Sequence, residues 1–275
     1  MNLLEKWNLF FEDLPSPKSF IDWTLLWIVS TSLQRRVWYF DEGTELYCNL
    51  YLVFVAPPAT GKSRAARWAG DAILRTFVAP NLDAESQLKR PIIPRVPVSA
   101  DRATFEQLVC DLVKSTRTFL FTPPNTSKAL VCSQAPLAVL LSEEFTSMFT
   151  KDTEKITSLF RQCFDGQRFH YSTKHQGDYE IRNTLMTLLG CTNFHELKEL
   201  VRKNILNIGF ASRIIFICEE KPRFEEPFFR IDDKKRELLL EIKTYIGKLL
   251  EVKGQLHFTP EAKAYYEDWF RTKKS

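Results

Sequence analysis

No Cys-x-x-Cys pair occurs anywhere in this chain, and its six cysteines and four histidines stand at no metal-ligand spacing. Scattered cysteines of this kind are expected as reduced thiols of a cytoplasmic protein, in the host cytoplasm if the source is viral. No secretory leader is expected, because MNLLEKWNLFFEDLPS lacks a basic start and carries acids within its apolar stretch. The longest apolar run, FIDWTLLWIVSTSL, includes Asp22 and is too short for a bilayer, so no membrane association is expected. A strong charge of one sign is lacking too. The net charge of +4 over 275 residues creates no global field, so any contact with nucleic acid must be a local patch. There is no internal repeat, and the ending WFRTKKS is compatible with a piece of a longer protein.

What is present is an ordinary globular composition, 44% hydrophobic and 26% charged, with length for one core domain and an appendage. Asn2 to Glu12 and KSFIDWTLLWIVSTSLQRR read as helices. RRVWYF and LYCNLYLVFV flank DEGTE as strand, turn and strand. A helix is expected from Lys62 to about Phe77. The Pro-rich KRPIIPRVPVSADRATFEQLV then leads into a helix opened by Ser99 or Asp101. APLAVLLSEE reads as a short buried strand ending in acids, ITSLFRQCFDG as a helix, and RFHYSTKHQGDYEIRN as a hairpin turning at Gln176-Gly177-Asp178. TLMTLLGCTN and SRIIFICEE read as two more apolar strands. After Pro227 the pattern becomes charged amphipathic helix, with a second helix start at Thr259, Pro260 and Glu261. The pattern predicts an α/β fold, a parallel sheet sandwiched by helices. Its parts are an N-terminal helical segment (1–44), a core (45–226) and a C-terminal helical lid (227–275).

The stretch NLYLVFVAPPATGKSRAARWA carries the first chemistry. A strand that feeds a tight loop into a helix start presents free N–H groups and the helix dipole to phosphate. The loop is Ala56, Pro57, Pro58, Ala59, Thr60, Gly61, Lys62 and Ser63. Gly61 lets the backbone approach the phosphates, Lys62 reaches the β- and γ-phosphates, and Ser63 holds Mg²⁺. A plain strand–turn–helix with an incidental Gly-Lys-Ser is the alternative. Glycine is missing at Ala56 and Ala59, and an alanine forced to positive φ costs about 1–2 kcal/mol. Ala59 is the greater liability, since alanine at the first position is a tolerated variant.

An ATPase also needs an acidic strand. LAVLLSEE releases Glu143 and Glu144 at a strand end. Glu143 is assigned to the metal and Glu144 to polarising the attacking water. A one-residue slip, with Ser142 on the metal side and Glu143 as the base, stays open, as does a strand end that merely solvates two acids.

In this order the segments resemble AAA+ P-loop ATPases. APPATGKS is similar to their GPPGTGK[ST] loop with two glycines replaced, and LLSEE to their second acidic motif with Glu for Asp. TLLGCTN resembles the sensor-1 strand, ending in Thr192-Asn193. GFASRI resembles the segment whose arginine projects into the neighbouring subunit's nucleotide. The four lie at 56–63, 137–144, 188–193 and 209–214, so the resemblance covers most of residues 45–225. It is nearest to the primase/helicase-type, superfamily 3-like replicative ATPases of phages and plasmids, whose LYxNLYxVxVxPPxxGKS opening and TPEA tail have counterparts here.

The resemblance implies ATP and Mg²⁺ as ligands. It implies that Asn193 orients the lytic water with Glu144, and that Arg213 acts in trans within a ring, a hexamer. Arg223 and Arg230 are candidates for a second sensor. The plain alternatives are a polar strand cap for Asn193 and a surface cation for Arg213. In ring helicases of superfamily 3, a hairpin at this place in the order carries a lysine–histidine pair into the channel. Lys174 and His175 match it, with Arg168 and Lys151 adding charge; cation and ring together are what single-strand channels use. A solvated hairpin is the alternative. The implied function is an ATP-hydrolysing ring motor on single-stranded DNA, a replicative helicase or initiation ATPase of a phage or plasmid, with a primase or other replication partner. A DNA-packaging, protein-remodelling or defence ATPase would use the same motifs. A nucleotide-gated scaffold with little turnover would suit the two alanines and the Glu-for-Asp replacement.

Overall fold

Among the described residues, two strands are buried along their whole length, β3 (Tyr51–Val55) and β8 (Thr184–Thr192). Strands covered on both faces read as unbroken apolar runs, and these two lie inside the main sheet. The computed structural model describes residues 1–68, 73–74, 95–99, 104–123, 126–141, 145–173, 177–205, 208–224 and 229–273. Before β3 come α1 (Leu3–Phe10), α2 (Lys18–Leu33), β1 (Val37–Asp41) and β2 (Thr44–Tyr47). After it follow α3 (Lys62–Arg67), α4 (Phe105–Ser115), β4 (Arg117–Phe121), β5 (Leu130–Leu141), α5 (Thr153–Phe164), β6 (Phe169–Thr173) and β7 (Gly177–Ile181). Beyond β8 lie α6 (Phe194–Arg202), α7 (Ile208–Ala211), β9 (Ile214–Cys218), α8 (Asp233–Leu249), β10 (Gly254–Leu256) and α9 (Pro260–Lys273).

The main sheet has five strands in the order β4-β5-β8-β3-β9. β5, β8, β3 and β9 are parallel. The expected all-parallel sheet is corrected at its edge: β4 runs antiparallel against the first part of β5, and Val98 makes a parallel bridge to Ala138 further along. The fold is therefore α/β with mixed sheets. A second sheet, β10-β1-β2, joins the C-terminal region to the N-terminal one, since β10 lies parallel to β1. That strand interrupts the stretch expected to be purely helical.

Alternate residues of each central strand face opposite layers. On the first face, Leu52, Phe54, Leu140 and Leu189 meet α1, α2, α3 and α8. On the second, Tyr51, Val53, Val139 and Leu188 meet α4, α5, Phe145 and Phe210. An eight-residue helix is not stable alone in water. α1 is held by a capping box between Asn2 and Glu5 and by its buried Trp7 and Phe10. Phe10 and Phe229 meet the ring of Trp68, just beyond α3, at 5.3 and 5.7 Å. The N-terminal helices and the start of the C-terminal region thus converge on the helix that follows the 56–63 loop.

The hairpin forms as expected, with Thr173 opposite Gly177. The turn expected at Gln176-Gly177-Asp178 is corrected, because Gly177 and Asp178 belong to β7, while residues 174–176 lie between the two strands in the sequence. Those three residues lie outside the described ones. No helix among the described residues is long and apolar enough to cross a membrane.

Candidate functional site

The parallel strands end together at one edge: Val55 pairs with Thr192 and with Cys218, and Leu141 with Gly190. The helix leaving β3, α3, joins the first face, whereas α6 and α7, leaving β8, contribute Leu200 and Phe210 to the second. Neighbouring strands whose connections diverge to opposite faces leave a crevice outside their carboxyl ends, where open α/β sheets bind ligands. The 56–63 loop closes over that crevice.

Ala56 is fully buried and its N–H donates to Thr192 O at 3.3 Å. Thr60 is buried, and its hydroxyl donates to Pro57 O at 2.7 Å, tightening the loop. Ala59 stands at φ 64° and Gly61 at φ 95°, both left-handed. Gly61 has a second reason to be glycine: a Cβ there would lie 2.6 Å from Ser16 Oγ. Ser16 itself is buried and donates to Gly61 O at 2.9 Å, so the segment before α2 clamps the loop. Lys62 Nζ folds back into the loop and donates to Ala56 O at 2.6 Å and Pro57 O at 2.9 Å. Desolvation lowers the Lys62 pKa, opposed by the nearby Cys191 and Glu196. Ser63 is half-buried in the first turn of α3. Successive N–H groups in such a turn, with a cation beside them, form an anion-binding concavity.

Asn193 caps α6, its Oδ1 accepting from Glu196 N at 2.9 Å. That bond fixes the amide and leaves its NH₂ without a hydrogen-bond partner among the described residues. Glu196, which sequence reasoning missed, is half-buried, and its Oε2 accepts from Thr192 Oγ1 at 2.9 Å and Thr146 Oγ1 at 3.4 Å. It ties the end of β8 to the chain emerging from β5. Its place three residues after Asn193 reads locally as a capping-box position, so the sequence points it at the wrong partner. Ser16 carries no local signal, since its partner is 45 residues away.

Ser142, Glu143 and Glu144 lie outside the described residues, as do Lys174 and His175. The flanks of the acidic segment are placed. Leu141 ends β5 at the loop edge, and Phe145 crosses so close to Gly190 that a Cβ on that glycine would sit 2.8 Å from its ring.

Arg213 is not brought to the loop of its own chain. It precedes Ile214, the partner of Tyr51, at the opposite end of β3. At about 3.3 Å per residue that is well over 10 Å from the loop. Its guanidinium forks onto Asp165, with Nη2–Oδ2 at 2.7 Å and Nε–Oδ1 at 3.1 Å. Arg168 pairs with Glu180 at 3.0 Å, and Lys151 is exposed. Of the second-sensor candidates, Arg223 is bound to the N-terminal segment, its N–H donating to Pro15 O at 2.9 Å, and Arg230 is exposed. Between that segment and the end of β9 an open cleft of about 660 Å³ is lined by Lys18, Ser19, Glu219 and Arg223 among others, next to the loop.

Comparison with models of known protein families and with curated protein sequences finds no match for this chain.

Proposed function

We propose that the chain is a P-loop ATPase of the AAA+ kind that works as a ring motor on single-stranded DNA, in replication or its initiation. The observation that carries this reading is the position of Lys62. Its ammonium is gathered into a left-handed loop at the crevice where β3, β5 and β8 all end. The residues fit a triphosphate. Lys62 exchanges the two carbonyls for phosphate oxygens, and the loop N–H groups supply further donors. Ser63 and Glu143 would hold Mg²⁺, which supplies charge neutralisation at the phosphates when bound. The NH₂ of Asn193 and the carboxylate of Glu144 orient the attacking water. Arg213, at the far end of the sheet from its own loop, suits a role toward a neighbouring chain and supports a ring. The nucleoside portion fits the cleft beside Ser19 and Glu219.

Single-stranded DNA as the substrate rests on the hairpin and on the Lys174-His175 pair that stands between its two strands in the sequence. The test is hydrolysis by the full chain with and without a single-stranded oligonucleotide. Stimulation that disappears in a Lys174→Ala, His175→Ala variant is expected. Stimulation that survives the double substitution sinks the DNA assignment and favours a remodelling ATPase. A second reading, a nucleotide-gated scaffold with little turnover, draws on Ala59, whose left-handed backbone makes the loop harder to hold.

A further inference from the structure

Ala262, Tyr265, Tyr266 and Trp269 recur at the three- and four-residue spacing that puts them on one face of α9. Thr259 starts the helix, its hydroxyl accepting from Ala262 N at 3.2 Å. A stripe of this kind ordinarily faces a core, yet no residue of α9 is buried. A helix of that length is marginal in water on its own. The stripe continues onto the small sheet. The Tyr266 ring lies 5.7 Å from Phe258, and Phe258 lies 5.4 Å from Tyr39. Tyr39 stands opposite Leu46 of β2 and Leu256 of β10, so the three share one side of that sheet.

The face is large enough to matter. Tyr265 is 75% exposed, and Leu46, Leu256, Phe258, Tyr266 and Trp269 are each 45–48% exposed. At about 200 Å² for a large side chain, the six present roughly 600 Å² of mostly apolar surface. A standard interface takes about 800 Å² from each partner, of which about 450 Å² is apolar. Tyrosine and tryptophan are also the residues that anchor such interfaces.

Charge decides what covers it. Glu261, Glu267 and Asp268 balance Lys263, Arg271 and Lys273 along α9, which suits neither a phosphate backbone nor an anionic bilayer. The charges are instead ordered along the axis, with Glu261 in the first turn and Arg271 and Lys273 in the last. Arg271 reaches Glu267 of its own helix at 3.6 Å, whereas Lys273 has no carboxylate partner among the described residues. Two such helices side by side and parallel would set like charges together. Antiparallel, each acidic start lies beside the other's basic end, and the helix dipoles oppose as well.

We propose that this face pairs with the same face of a second copy of the chain, the two α9 helices antiparallel about a two-fold axis. Tyr266 and Trp269 fill the middle, and Glu261 of each copy meets Lys273 of the other. A two-fold contact closes on a pair, so it does not itself build a ring, and it does not rest on the motor reading.

The test is sedimentation equilibrium of the full chain over a concentration series, without nucleotide. The wild type should associate, and Tyr266→Ser with Trp269→Ser should abolish the association; neither side chain is buried, so the core is spared. Glu261→Lys alone and Lys273→Glu alone should each weaken it about tenfold, since both contacts of the pair become repulsive. An equimolar mixture of those two variants should recover wild-type association, because both contacts then join opposite charges. A wild type that stays monomeric, an association indifferent to the aromatic pair, or a mixture no tighter than its components overturns the proposal. If the aromatic variant instead loses binding of a labelled oligo(dT) while its mass is unchanged, the face serves nucleic acid and the second copy is ruled out. Hydrolysis is not read, so the outcome stands apart from that of the ATPase proposal.

Discussion

Replacing either alanine of the loop by glycine restores the residue usual in such loops, yet the two changes have opposite signs. Ala59 stands at φ 64° with its methyl exposed. Left-handed backbone costs an L-residue about 1–2 kcal/mol, and Ala59→Gly removes that cost without losing any packing. Glycine also gains freedom in the unfolded chain, which offsets about 0.4–1 kcal/mol. The net is a stabilisation of roughly 0.5–1 kcal/mol, or about 1–3 °C in Tm for a chain of this size. Ala56 has no positive φ, is fully buried and donates its N–H to Thr192 O. Ala56→Gly relieves nothing, removes a packed methyl and should destabilise by about 1 kcal/mol, lowering Tm by about 2–4 °C. Differential scanning calorimetry of both variants at equal concentration, without nucleotide, reads the signs directly. A fall in Tm for Ala59→Gly like that for Ala56→Gly would refute the strained-loop reasoning.

Gly61→Ala places a Cβ 2.6 Å from Ser16 Oγ at a φ of 95°, and should destabilise by roughly 2 kcal/mol. Combined with Ser16→Ala, thermal unfolding should show less than the sum of the single losses. Asn193→Asp keeps the acceptor that caps α6 but lacks the NH₂ donor, so stability should hold while kcat falls; equal effects on both would leave Asn193 as a cap alone. Mixing Lys62→Ala chains with Arg213→Gln chains, each inactive by itself, should restore turnover, because one interface in the mixture then has both intact groups. No recovery would remove Arg213 from the neighbouring site.

The central strands were legible because burial on both faces leaves no polar position in YLVFV or TLMTLLGCT to disguise them. β4 was missed because RTFLF draws its strand character from its partner: its alternate residues are half-buried only once β5 lies beside it. The sharing of one core by α1, α2 and α8 depends on contacts more than 200 residues apart, such as Lys235 with Asp13, that no local pattern encodes. Within the site, the loop and the strand ends were readable from spacing. The Ser16 clamp and the Glu196 carboxylate were not, because a serine before a Pro-capped helix and a glutamate in a helix's first turn both have sufficient local explanations. The turn expected at 176–178 was misread because Gly177, a natural turn residue, opens β7 instead.

The most direct measurement is steady-state ATP hydrolysis by the full chain with Mg²⁺ and single-stranded DNA, over a series of protein concentrations, wild type against Lys62→Ala. The phosphate-loop assignment predicts turnover by the wild type and its loss, by about a hundredfold or more, in the variant. Equal turnover by the two chains would contradict it.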